Sequence, residues 1–114
     1  MRRARERSAE RALRNESTLQ RLDEAERDDV VLHHFVCECA EPGCAARVRL
    51  TTREYESVRA IPARFAVALD HVNLDLEGVI AWHTRFWVVE KRGPRGRVVD
   101  LDAERRRRRT PALH

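Results

Sequence analysis

The sequence predicts a small α+β domain made of antiparallel hairpins, one capped helix and an N-terminal helix. Three observations carry that prediction. Residues 45–50 alternate, with Val48 and Leu50 on one side and Arg47 and Arg49 on the other, which is the two-residue period of a half-buried strand. Thr51-Thr52-Arg53-Glu54 spells a capping box, the side-chain signature of a helix start. All three cysteines, Cys37, Cys39 and Cys44, fall in one short stretch with Pro42-Gly43 just before the last, so a turn draws them together.

Composition sets the scale. A chain of 114 residues is one domain, with or without tails. Charged residues make up 37% and aromatics 5%, so the ordered core is smaller than the length suggests. Three zones are expected: a charged helical segment over residues 1–29, a small cysteine-containing α+β domain over 30–100, and a basic disordered tail over 101–114. A core drawn from about 60 to 70 residues is marginal by burial alone, and domains of that size recruit a metal or disulfides. No apolar run approaches the ~20 residues of a membrane span. The arginine-rich start lacks the apolar stretch of a secretory signal, so the expected compartment is the cytoplasm, where thiols stay reduced.

The net charge of +4 is not a patterned face. Residues 1–29 hold eight basic and eight acidic side chains, residues 30–100 ten and nine, and the remainder five and two. Of the 23 basic residues only Lys91 is a lysine, a bias that reflects a GC-rich genome rather than selection for phosphate recognition.

In chain order, residues 1–29 read as helix with little to bury. Leu13, Leu19, Leu22 and Ala25 form a thin apolar stripe, and Asn15 is placed to cap a second segment over 16–26. Such a helix is marginal in isolation, and a fraying, solvated state is expected. Residues 30–37 and 45–50 form the first hairpin, whose tip carries the cysteines. The capped helix starts at Thr52, with Leu50 and Tyr55 placed as a hydrophobic staple, Tyr55 and Val58 on its buried face, and Pro62 ending it near Ala60.

Next comes Phe65-Ala66-Val67-Ala68-Leu69, a short apolar run ending at Asp70-His71. Residues 79–82 and 86–89, flanking His83-Thr84-Arg85, predict a second hairpin. A helix over 74–83 is the competing assignment, and the β-branched content favours strands. Gly93, Pro94 and Gly96 then break the pattern, Val98 and Val99 can add an edge strand, and Arg105, Arg106, Arg107, Arg108 and Arg109 form the tail.

The cysteines carry the chemistry. A tetrahedral Zn²⁺ site takes four thiolates or imidazoles, and a hairpin tip returns Cys44 toward Cys37 and Cys39. A histidine completes the set. His71 is the first choice, because the chain leaving the 65–69 run can return over the hairpin, and His34 is the second. His83 sits in a turn and His114 in the tail. Inert buried cysteines and redox-active thiols are the competing readings. A disulfide within C-x-C would be strained and would leave an odd thiol. Structural zinc in a zinc-knuckle-like cluster accounts best for three cysteines so close together with none elsewhere.

Taken together, these residues resemble a family of short actinobacterial proteins of uncharacterised function. The family pattern runs F-x-C-E-C, a third Cys, L-T-x-x-E-Y-E-x-V-R, P-x-R-F-x-V, a His and V-V-E-K. Its counterparts here are residues 35–39, Cys44, residues 50–59, residues 62–67, His71 and residues 88–91. The likeness spans residues 35–91, and the family's N-terminal helix corresponds loosely to residues 15–22. It implies that His71 partners the cysteines, and it implies no activity. The chain departs from the pattern at Ala40, where the family has Gly, and at Leu69-Asp70, where it has Pro-Gly.

Nothing else in the sequence assembles a catalytic site. Four glycines lie scattered at turns, so no phosphate-cradling loop is present. Glu38 reads as a solvated side chain on the opposite strand face rather than a general base beside a metal. Trp82, Phe86 and Trp87 read as sheet core and cross-strand pairs rather than base-stacking platforms. Zinc with four protein ligands has no open position for water. The expected function is therefore a non-enzymatic, zinc-stabilised binding or regulatory module with a protein partner and no membrane. A thiol redox sensor or zinc-release switch is the second reading, and a non-specific nucleic-acid binder using Arg105 to Arg109 the third.

Overall fold

The computed structural model describes residues 2–92. Helix α1 (Arg2–Gln20) precedes strands β1 (His33–Val36) and β2 (Arg47–Leu50). Helix α2 (Thr52–Arg59) follows, and strands β3 (Arg64–Val67), β4 (Glu77–Trp82) and β5 (Trp87–Lys91) complete the order. The class is α+β: β1 and β2 make a two-stranded antiparallel sheet, and the other three make a second one in the order β3-β5-β4.

The first hairpin follows from its alternation. Its register pairs His33 with Leu50 and Phe35 with Val48, so Phe35, Val48 and Leu50 share the buried face. His34, Arg47 and Arg49 take the outer face. Immediately after β2 the capping box closes in both directions. Glu54 N donates to Thr51 Oγ1 (3.1 Å), and Thr51 N donates to the Glu54 carboxylate (2.9 Å). Leu50 and Tyr55 are both fully buried in one apolar cluster, as a staple requires. The Tyr55 ring stacks on Phe35 at 4.5 Å and 9°, which fixes α2 against the hairpin.

The segment after Asp75 forms strands and not the competing helix. β5 lies in the centre with β3 and β4 on either side, so Val88 and Val89 are both buried on consecutive positions. Its last two residues each fasten a flanking strand. Glu90 accepts from Arg64 of β3 (2.7 Å), and Lys91 pairs with Glu77 of β4 in a buried contact, both in register. The two sheets meet at Glu38. Its N–H donates to Ala66 O of β3 (2.9 Å), and its carboxylate accepts from Ala66 N (2.9 Å).

Helix α1 corrects the sequence expectation. It does not fray: Ala4, Ser8, Ala12 and Asn15 form a buried face, whereas Leu13 of the expected apolar stripe is 65% exposed. Small side chains let the helix axis approach the cysteine hairpin closely. Asn15 lies inside the helix and caps nothing. The chain stays helical to Gln20, and turns rather than a second helical segment follow over residues 21–30. The expected edge strand at Val98 and Val99 and the tail from Arg105 to Arg109 lie outside the described residues.

Candidate metal centre

Three separate segments deliver the candidate ligands. Cys37 leaves the end of β1, where its N–H still donates to Ala46 O (3.0 Å) and so continues the ladder by one rung. Cys39 follows two residues later. The chain then reverses through Glu41, Pro42 and Gly43, closed by Cys44 N donating to Glu41 O (3.3 Å), and this returns Cys44. His71 arrives from the loop after β3.

That loop contains the one described non-glycine residue with positive φ, Asp70 at 67°. His71 N donates to Ala68 O (3.0 Å), closing a turn with Leu69 and Asp70 at its centre. Positive φ at the third position is the mark of a type II turn, for which Pro-Gly is the usual chemistry. Leu69-Asp70 makes the turn without either residue, at a backbone cost of about 1 kcal/mol that aspartate bears better than most.

The Sγ atoms of Cys37, Cys39 and Cys44 and a ring nitrogen of His71 all lie within 4.8 Å of one another. His71 Nδ1 is 3.6 Å from Cys37 Sγ and 3.5 Å from Cys44 Sγ. A tetrahedron with Zn–S near 2.3 Å and Zn–N near 2.05 Å has an S···N edge of about 3.6 Å, so these separations fit such a centre. All three cysteines are free thiols. Cys37 and Cys39 are buried, and Cys44 and His71 are half-buried. These four residues could hold a metal ion. His34 is not among them, because β1 places it on the exposed outer face of the hairpin.

Two of the sulfurs each face an N–H donor, the kind of contact that favours a thiolate. Ala68 N donates to Cys37 Sγ (3.2 Å), and Arg11 Nη1 approaches Cys39 Sγ at 3.7 Å. The Cys39 thiol is held well below its usual range, first by its hydrogen bond with Cys37. That same bond, then burial, pushes the Cys37 thiol up. A divalent cation held between these two sulfurs would favour the thiolate form of both.

Helix α1 supplies groups that the sequence reading missed. Arg7, Arg11 and Asn15 recur every four residues and so share one face. Arg7 Nε donates to Ala40 O (2.7 Å), and Arg11 donates to Cys39 O (2.6 Å) and Pro42 O (3.3 Å). Asn15 behaves as a substitute strand: its side chain donates to Val36 O and accepts from Val36 N, both at 2.9 Å. The four-residue recurrence was the available signal.

Glu38 corrects a second expectation, since it is fully buried rather than solvated. Besides Ala66 N, its carboxyl accepts from Asn15 Nδ2 (2.9 Å) and Tyr55 Oη (2.6 Å). Burial pushes the carboxyl up from its ordinary range, and those three donors oppose the shift. The Tyr55 hydroxyl is pushed up by burial and then by the neighbouring Glu38. With every oxygen engaged inside the core, Glu38 ties α1, α2 and β3 to the cysteine segment and has no free face toward a reacting group. Phe86 is likewise core, while Trp82 is exposed and meets Trp87 edge-on at 6.4 Å across the second hairpin.

Compared with known protein families, curated proteins and solved structures, the chain matches none. Among the described residues no helix is long and apolar enough to cross a membrane.

Proposed function

We propose that this chain is a non-enzymatic binding or regulatory module whose fold is fastened by one Zn²⁺ on Cys37, Cys39, Cys44 and His71. The observation that carries the reading is the convergence of four soft or borderline ligands from three chain segments, at spacings a tetrahedral ion would span. Bound there, the ion would cross-link the hairpin tip to the loop after β3. Three thiolates and a neutral imidazole leave a zinc centre with one net negative charge, and Arg11 stands beside it to offset that charge. Four protein ligands fill the tetrahedron, which favours a structural role over hydrolysis. Free thiols suit a reducing compartment, and we assign the chain to the cytoplasm. The resemblance to the actinobacterial family joins this proposal, through His71.

The test is elemental. Purified protein should carry about one equivalent of zinc, and a chelator should unfold it. Full stability after chelation would refute the structural role. A zinc-release switch is the second reading, favoured by the half-exposed Cys44, which an oxidant reaches first. It predicts zinc loss on mild peroxide treatment, reversed by thiol reductant.

A further inference from the structure

The outer edge of β1 is closed one rung at a time. Since Cys37 N donates to Ala46 O, the residues bonded to β2 are Cys37, Phe35 and His33, and the backbone groups of His34, Val36 and Glu38 turn outward. Glu38 N is taken by Ala66 O, and both Val36 groups are taken by Asn15. The His34 rung has no such cover among the described residues. His34 lies instead along a groove of about 480 Å³ between α1 and the outer face of the first hairpin.

That groove is basic. Arg14 of α1, Arg21 in the turn just after it, Arg47 of β2 and His34 line it, and no acidic side chain does. Arg59, Arg64 and Arg85 are each tied to a carboxylate elsewhere, but no ion pair or hydrogen bond engages the guanidinium of Arg14, Arg21 or Arg47 among the described residues. The 65%-exposed Leu13 adds an apolar wall.

We propose that this groove docks a short, extended, acidic segment of a partner protein. Its carboxylates meet Arg14, Arg21 and Arg47, and its main chain bonds the open His34 rung. The proposal deepens the binding-module reading and rests on it for a folded scaffold. Unpaired guanidiniums suit bidentate carboxylates, and an open backbone rung suits a polypeptide added to a strand edge. One feature disfavours nucleic acid: the groove has no Phe, Tyr or Trp on which a base could stack.

The test uses full-length, zinc-loaded protein and a fluorescent peptide of alternating Glu and Leu, read by anisotropy. The peptide should bind saturably, more weakly at higher salt, and should slow hydrogen exchange at the His34 amide. Arg14→Glu with Arg47→Glu should weaken binding at least about tenfold, while Arg53→Glu, at an exposed arginine paired with Asp29 outside the groove, should change it less than about twofold. No binding by the wild type overturns the proposal. So does wild-type affinity in the double variant, or tighter binding of oligothymidylate than of the peptide at the same site. Zinc content separates the two readings: peptide binding in a chain that is folded without zinc contradicts the metal and supports the groove.

Discussion

If α1 is docked through Asn15, then Asn15→Ala should be among the most damaging substitutions in the helix, although alanine is the better helix former. Asn15 is 2% exposed and makes three side-chain hydrogen bonds of 2.9 Å, two to the Val36 backbone and one to Glu38. The two neutral bonds contribute about 1 kcal/mol each, and the bond to the buried carboxyl about 1.5 kcal/mol or more. Alanine's propensity returns about 0.5 kcal/mol. The net loss is about 3 kcal/mol, or a fall in Tm of about 12 °C for a domain of this size. Urea and thermal unfolding monitored by circular dichroism, with zinc held in fixed excess so that metal binding does not differ between samples, would measure it. A loss below about 0.5 kcal/mol, the range of an ordinary surface change, would refute the docked helix and restore the fraying one.

Three further outcomes follow from the geometry. Arg11→Met should speed zinc transfer to a competing chelator by about tenfold or more, because it removes the cation beside Cys39 and the two carbonyl contacts that hold the loop. Asp70→Val should cost about 1–2 kcal/mol at φ 67°, while Asp70→Gly should cost nothing; equal losses on denaturation would contradict the turn. The Arg85 guanidinium bonded to Glu54 at 2.7 Å holds that carboxyl below its ordinary value of 4.5. A depressed folded pKa gives stability that is present above the unfolded value and is lost as pH falls through the folded one. The stability difference between wild type and Glu54→Gln should therefore be constant near neutrality and should shrink below about pH 4.5, whereas a difference that grows in acid would reverse the assigned sign.

Both hairpins and the capped helix were legible because each rests on local rules. Alternation set β1 and β2, and reciprocal hydrogen bonds between Thr51 and Glu54 set α2. The convergence of His71 on the cysteines was legible as a candidate from the length of chain available to return. Glu38 was not legible, because the two-residue period that would turn it outward holds only while the strand lasts. β1 ends at Val36, and Cys37, Glu38, Cys39 and Ala40 are then buried in succession. Nor was α1. A face of Ala4, Ser8, Ala12 and Asn15 looks polar and featureless on a hydrophobic scale, yet small size and one amide are what a helix needs to sit against a strand edge. The ion pairs of Glu90 and Lys91 depended on β5 lying between β3 and β4, an order no local pattern encodes.

The zinc centre proposed for this fold needs Cys37, Cys39, Cys44 and His71 to bind one ion together. X-ray absorption on the zinc-loaded protein tests it most directly. The first shell should be four-coordinate, with three sulfurs at about 2.3 Å and one nitrogen at about 2.0–2.1 Å, and the nitrogen contribution should be lost in His71→Ala. A shell with fewer than three sulfurs, or one unchanged by His71→Ala, would contradict it.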